Sequence, residues 1–132
     1  MKKFFLLVLL STFLCLTGCN SSKLSKINLD ELNQKITNKE TFIVYFASNN
    51  DNLLEKKLNE VLEENNLEGY KVDINKISEE EKNKLQVTID YSDPSIVFVI
   101  NGTDPSILSH IDNEDTSKKE IVLRLKDMNF IK

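Results

Sequence analysis

Cysteine is scarce in this 132-residue chain and confined to one end: Cys15 and Cys19 are the only two. A disulfide scaffold, a cysteine-based zinc site and a catalytic thiol are therefore excluded from everything after position 19. Histidine occurs once, at His110. That removes His-pair metal sites and weakens any Ser–His–Asp arrangement. Basic charge is also in deficit, with 17 Lys and Arg against 21 Asp and Glu, a formal charge of −4. A nucleic-acid binder would show a basic stripe, so no nucleic-acid partner is expected. What remains is the composition of a foldable globular domain, 40% hydrophobic and 29% charged. The length suits one such domain and is too short for two.

The two cysteines lie in a segment with its own logic. Lys2 and Lys3 precede an apolar run from Phe4 to Leu16, broken only by Ser11 and Thr12. At about 13 residues it is too short to cross a ~30 Å hydrocarbon core comfortably, so it is expected to be a secretory signal. Its end, Leu16-Thr17-Gly18-Cys19, resembles the bacterial lipobox, where acylation of the cysteine precedes cleavage in front of it. The resemblance implies a signal peptide over 1–18, a lipidated Cys19 and a short polar tether over 19–26. It also implies a cell-membrane location on the extracytoplasmic face, with the bilayer as partner. Cys15 would leave with the signal. Cleavage leaves 15 basic against 21 acidic groups, so acyl chains rather than surface charge must hold the protein. Sixteen lysines against one arginine, with fifteen asparagines, suggest an AT-rich bacterial genome.

From Ile27 onward the pattern predicts alternating helices and strands. Asn28-Leu29-Asp30-Glu31 is a capping box opening a helix with Leu29, Leu32 and Ile36 on one stripe. Thr41 to Phe46 is a continuous apolar run of strand length, as expected for a strand covered on both faces. After a polar turn, Leu53, Leu54, Leu58, Val61, Leu62 and Leu67 repeat at helical spacing up to Gly69, the expected stop. Tyr70 to Ile74 alternates as a strand. Ser78 opens a short acidic helix running to about Leu85, and Ser95 to Ile100 is a second buried-type strand. Asn101-Gly102 begins a turn, and Ile107 to Ile111 is its antiparallel partner. Ser117 is expected to cap a last helix carrying Ile121, Val122, Leu125 and Met128. Such an order makes an α/β layered domain spanning 27–132.

Two stretches carry a more specific likeness. Ile43-Val44-Tyr45-Phe46-Ala47-Ser48 resembles the strand that delivers the active site of a thioredoxin to its helix. Asp93-Pro94 with Ser95-Ile96-Val97-Phe98-Val99-Ile100-Asn101-Gly102 resembles the cis-proline, strand and glycine turn of that family. The likeness spans about Ile27 to Lys132 and implies a thioredoxin-like fold, a central mixed sheet flanked by helices in one domain. Three departures follow from the residues. Where the family has Cys-x-x-Cys, this chain offers Asn49, Asn50, Asp51, Asn52 and Leu53; neither an amide nor a leucine can become a thiolate, so thiol–disulfide exchange is not expected. The six residues Thr88 to Asp93 make a longer approach to the proline than the family uses. The body also lacks the tryptophan often set beside the first cysteine.

Asn49, Asn50, Asp51, Asn52, Asp93 and Pro94 are therefore expected to form a shallow partner-binding groove of amides and carboxylates, suited to main-chain hydrogen bonds with an extended peptide. Asp51, Asp90 and Asp93 lack metal-loop spacing and are taken as solvated loop carboxylates, with no metal. His110 is taken as a structural residue. No catalytic residue and no cofactor are expected, and the protein is expected not to be an enzyme. The leading functional expectation is a membrane-anchored, redox-inactive module that binds a protein or peptide. The alternatives are an accessory or self-protection factor of a bacteriocin or peptide-export system, and a non-thiol enzyme built on carboxylates or amides.

Overall fold

The computed structural model describes residues 22–47, 53–85, 94–109 and 114–132. Strands β1 (Leu24–Lys26), β2 (Phe42–Ala47), β3 (Gly69–Asp73), β4 (Ser95–Ile100) and β5 (Thr103–Ser109) alternate with helices α1 (Leu29–Thr37), α2 (Leu53–Glu64), α3 (Glu79–Asn83) and α4 (Glu114–Asp127). They form one sheet in the order β1-β3-β2-β4-β5. Strands β1, β3 and β2 are parallel, while β4 runs antiparallel to β2 and β5 antiparallel to β4. A mixed sheet flanked by helices in a single domain is the architecture expected above, with one strand, β1, more than the sequence pattern marked.

The continuous apolar run of β2 is explained by its central position. Phe42, Val44 and Phe46 face one side, with Val97, Val99, Val72 and the α1 stripe Leu29, Leu32 and Ile36. Ile43 and Tyr45 face the other, with Ile96, Phe98, Leu54, Leu58, Val61, Leu62, Ile121 and Leu125. Burying a side chain of this size is worth about 1.5–3 kcal/mol relative to leaving it in water, so these two layers dominate the stability. Among the described residues, no helix is long and apolar enough to cross a membrane.

Both capping boxes form as the sequence predicts. The Asn28 side chain accepts the Glu31 N–H at 2.8 Å while the Asn28 N–H donates to Glu31 Oε2 at 3.0 Å. Ser78 and Glu81 make the same reciprocal pair, although α3 ends at Asn83 rather than near Leu85 and buries nothing.

Four expectations are corrected. Leu24–Lys26, assigned to the tether, form edge strand β1; Leu24 is only 7% exposed, and one buried leucine with main-chain pairing to β3 outweighs the polar composition around it. Gly69 does not stop α2. The helix ends at Glu64 through Asn66 (φ 53°), and Gly69 opens β3 in a place where a Cβ would lie 3.0 Å from Leu24 and 3.2 Å from the Ile43 carbonyl oxygen. Strand β5 starts at Thr103, immediately after a two-residue turn in which Asn101 and Gly102 both have positive φ, so the return strand is longer than Ile107–Ile111 implies. It tolerates Pro105 because it is an edge strand whose register shifts against β4 between Phe98 and Ile100. Finally, Ser117 is not a cap: α4 begins at Glu114, and Ser117 is buried inside it. His110 and Ile111 lie outside the described residues.

Candidate functional site

The topology sorts the loops into two poles. The first holds the N-terminal ends of β1, β2 and β3 and the C-terminal ends of α1, α2 and α4. Each of these helices closes with a left-handed residue, Lys39, Asn66 and Asn129 respectively. Each then sends the next N–H back five residues: Glu40 to the Lys35 carbonyl (3.0 Å), Leu67 to Leu62 (2.8 Å) and Phe130 to Leu125 (2.9 Å). These are Schellman closures, and asparagine accepts the left-handed conformation better than most residues. The β4–β5 turn docks on the same end: the Gly102 N–H donates to the Glu40 carbonyl at 3.0 Å, and the Asn101 N–H to Thr41 Oγ1 at 3.1 Å.

The second pole gathers the C-terminal ends of β1, β2 and β3 and the start of β4. Here a cleft of about 300 Å³ opens between β1, β3, α1 and α3, lined by Lys26, Asn28, Lys71, Asp73, Lys76 and Glu81 with an apolar floor that includes Ile27, Val72 and Ile77. Its polar groups are largely engaged within the protein. Asp73 accepts the Asn75 N–H at 3.0 Å, and Lys71 Nζ reaches Glu55 at 2.7 Å. Hydrogen bonds from the Ser78 N–H and hydroxyl hold the Glu81 carboxyl below its usual range. On the first pole, the Tyr70 side chain beside Lys35 raises that ammonium, whose Nζ also lies 4.4 Å from the ring centre. The cleft has no mark in the sequence, because it depends on β1, whose three residues look like linker.

Of the expected partner-binding set, Pro94 is described: it is half-buried and stands immediately before β4. Asn49, Asn50, Asp51, Asn52 and Asp93 lie outside the described residues, as do Asp90 and Cys19. The elements on either side of them are placed. Ala47 ends β2 and Leu53 begins α2 at the second pole, and Ser95 pairs with Phe46 across β2 and β4. Ser95 is fully buried, and among the described residues its hydroxyl has no hydrogen-bond partner. Among the described residues, no group of His, Cys, Asp and Glu is arranged to hold a metal ion.

No family model matches the sequence, and no curated protein does. Solved structures do. Oxidised thioredoxin O2 from Arabidopsis thaliana superposes with a TM-score of 0.55 at 14% identity, over 80% of this chain and 94% of that one. A chloroplastic thioredoxin z superposes with a TM-score of 0.50 at 22% identity, over 81% and 97%. At these identities the likeness speaks for the fold alone. A β2–α2 unit beside a proline-led β4 in a mixed five-stranded sheet, nearly coextensive with whole thioredoxins, is the thioredoxin-like fold.

Proposed function

We propose that this protein is an extracytoplasmic lipoprotein, held to the cell membrane by acyl chains on Cys19, whose thioredoxin-like domain is redox-inactive and binds a protein or peptide. The observation that carries this reading is the separation of sulfur from scaffold. Every cysteine precedes Ser22, where the described structure begins, and the β2–α2 junction offers asparagines instead. Thiol–disulfide exchange proceeds by thiolate attack, and no residue in the folded body can supply one. A thioredoxin-like scaffold without thiols can still present main chain beside Pro94 to an extended segment.

The test has two parts. Insulin reduction by residues 20–132 should equal that of buffer alone, and measurable turnover in a pure sample would refute redox inactivity. Crosslinking from the membrane fraction should give a specific partner that is lost from a folded Asn50→Lys/Asp93→Lys double variant. An unchanged partner would remove these residues from the binding site.

A further inference from the structure

Resting on the lipid-anchor reading of Cys19, the geometry points to a fixed orientation of the domain: we infer that the first pole rests on the phospholipid headgroups and the second pole faces away from them. The fold takes hold of the chain at Ser22. The Ser22 hydroxyl donates to Asn59 Oδ1 on α2 at 3.1 Å, and the Lys23 N–H donates to the same oxygen at 3.1 Å. The Lys23 carbonyl accepts the Gly69 N–H at 3.0 Å, and Leu24 is buried. Between an acylated Cys19 and this grip lie only Asn20 and Ser21.

Three Cα–Cα steps reach at most about 11 Å when fully extended. The acyl chains begin below a headgroup layer that is itself about 5–7 Å deep on each side of the bilayer, so much of the reach is used before the chain leaves the membrane. Strand β2 alone, with six residues, is about 20 Å long. The tether is therefore too short for the domain to invert. Strand β1 leaves the anchor pointing outward, and β3 and β2 run parallel to it. The cleft, the start of α2 and Pro94 follow at the outer end.

The chemistry of the inner pole fits this occupant. Its surface is built of hydrogen-bonded turns with the amides of Asn38, Asn66, Asn101 and Asn129. The carboxylates of Glu40 and Glu64 are matched by Lys35 (3.6 Å) and Lys118 (2.6 Å). The pole also exposes Glu63, Glu68 and Asp127 beside Lys39, Lys126 and Lys132, so charges of the two signs are interspersed rather than gathered in a negative block. Contact is set by tether length rather than by attraction, so it does not depend on salt.

The full chain, purified from membranes and placed in phosphatidylglycerol/phosphatidylcholine vesicles, tests this. Intact mass first establishes whether Cys19 is acylated; an unmodified Cys19 overturns the anchor reading and this inference with it. An acylated Cys19 has no free thiol, so one engineered cysteine labels alone. Glu68→Cys, just before β3, and Lys76→Cys, in the 3₁₀ turn that follows it, are both exposed sites, on opposite ends of a strand about 17 Å long. With a headgroup-nitroxide lipid, the Glu68→Cys probe should be quenched at least about three-fold more than the Lys76→Cys probe, in low and high salt alike. Twelve Gly/Ser residues inserted between Ser21 and Ser22 should abolish the difference, because such a linker spans about 20 Å. Equal quenching with the native tether, or stronger quenching at Lys76→Cys, overturns the orientation while leaving the acyl anchor standing.

Discussion

The two poles of the sheet are built by different means. At the first, three helix ends and one hairpin turn are closed by left-handed residues, and the hairpin turn is seated on α1 so tightly that a Cβ at Gly102 would lie 2.3 Å from the Ile36 carbonyl oxygen. At the second, α1 and α3 start in capping boxes, and the strand ends leave an open cleft whose charged groups pair mostly with near neighbours in the chain. Both poles use local closures, but the first adds the seating of the β4–β5 turn on the end of α1, whereas the polar groups of the second are satisfied mostly within a few residues. Local devices can be exchanged without disturbing the core.

If this contrast is right, substitutions should cost far more at the first pole. The largest effect is expected for Gly102→Ala, which combines a φ of +74° with a clash against backbone that has no side chain to yield. Chemical denaturation should show a loss of about 2–4 kcal/mol. Asn28→Ala at the second pole removes one cap and should cost about 1 kcal/mol, within the 0.5–2 kcal/mol span of such changes. Lys76→Ala, at an exposed site whose ion pair with Asp73 spans 3.9 Å, should stay within about 0.5 kcal/mol of wild type. A Lys76→Ala loss as large as that of Gly102→Ala would erase the distinction between the poles.

Acid sharpens the comparison further. The Glu81 carboxyl is held below its ordinary value of 4.5 by the Ser78 N–H and hydroxyl. The unfolded chain therefore takes up this proton at higher pH than the folded one. The contribution is complete above 4.5 and is lost as pH falls through the lowered folded value. Glu81→Gln, which removes the titrating group, should flatten the stability profile below pH 4.5 and leave its shape unchanged above, apart from a uniform offset. Ser78→Ala, which keeps the larger backbone contribution, should flatten it only in part. A profile with an unaltered acid limb would remove the Ser78–Glu81 coupling.

The elements legible in the sequence were those whose signal is local. The boxes at Asn28 and Ser78, the buried runs of β2 and β4, and the Asn101-Gly102 turn all declare themselves within a few residues. The misread positions depend on distant partners. Leu24 becomes strand only because β3 lies beside it, and Gly69 is glycine because Leu24 and Ile43 approach it from other strands. Ser117 is a good cap by type, but the helix starts three residues earlier and its position turns it inward. The proline ahead of β4 was recognisable, since an X-Pro step leading into a strand is a strong local mark. The cleft was not, since its walls come from four separate elements.

The central claim is that sulfur in this protein serves as an anchor and not as a redox group. The most direct measurement is the intact mass of the protein extracted from membranes, together with a thiol titration under denaturing conditions. The account predicts a chain beginning at Cys19, heavier than residues 19–132 by its acyl groups, with no titratable thiol. A chain that still contains residues before Cys19, or one with a free thiol at Cys19, would contradict it.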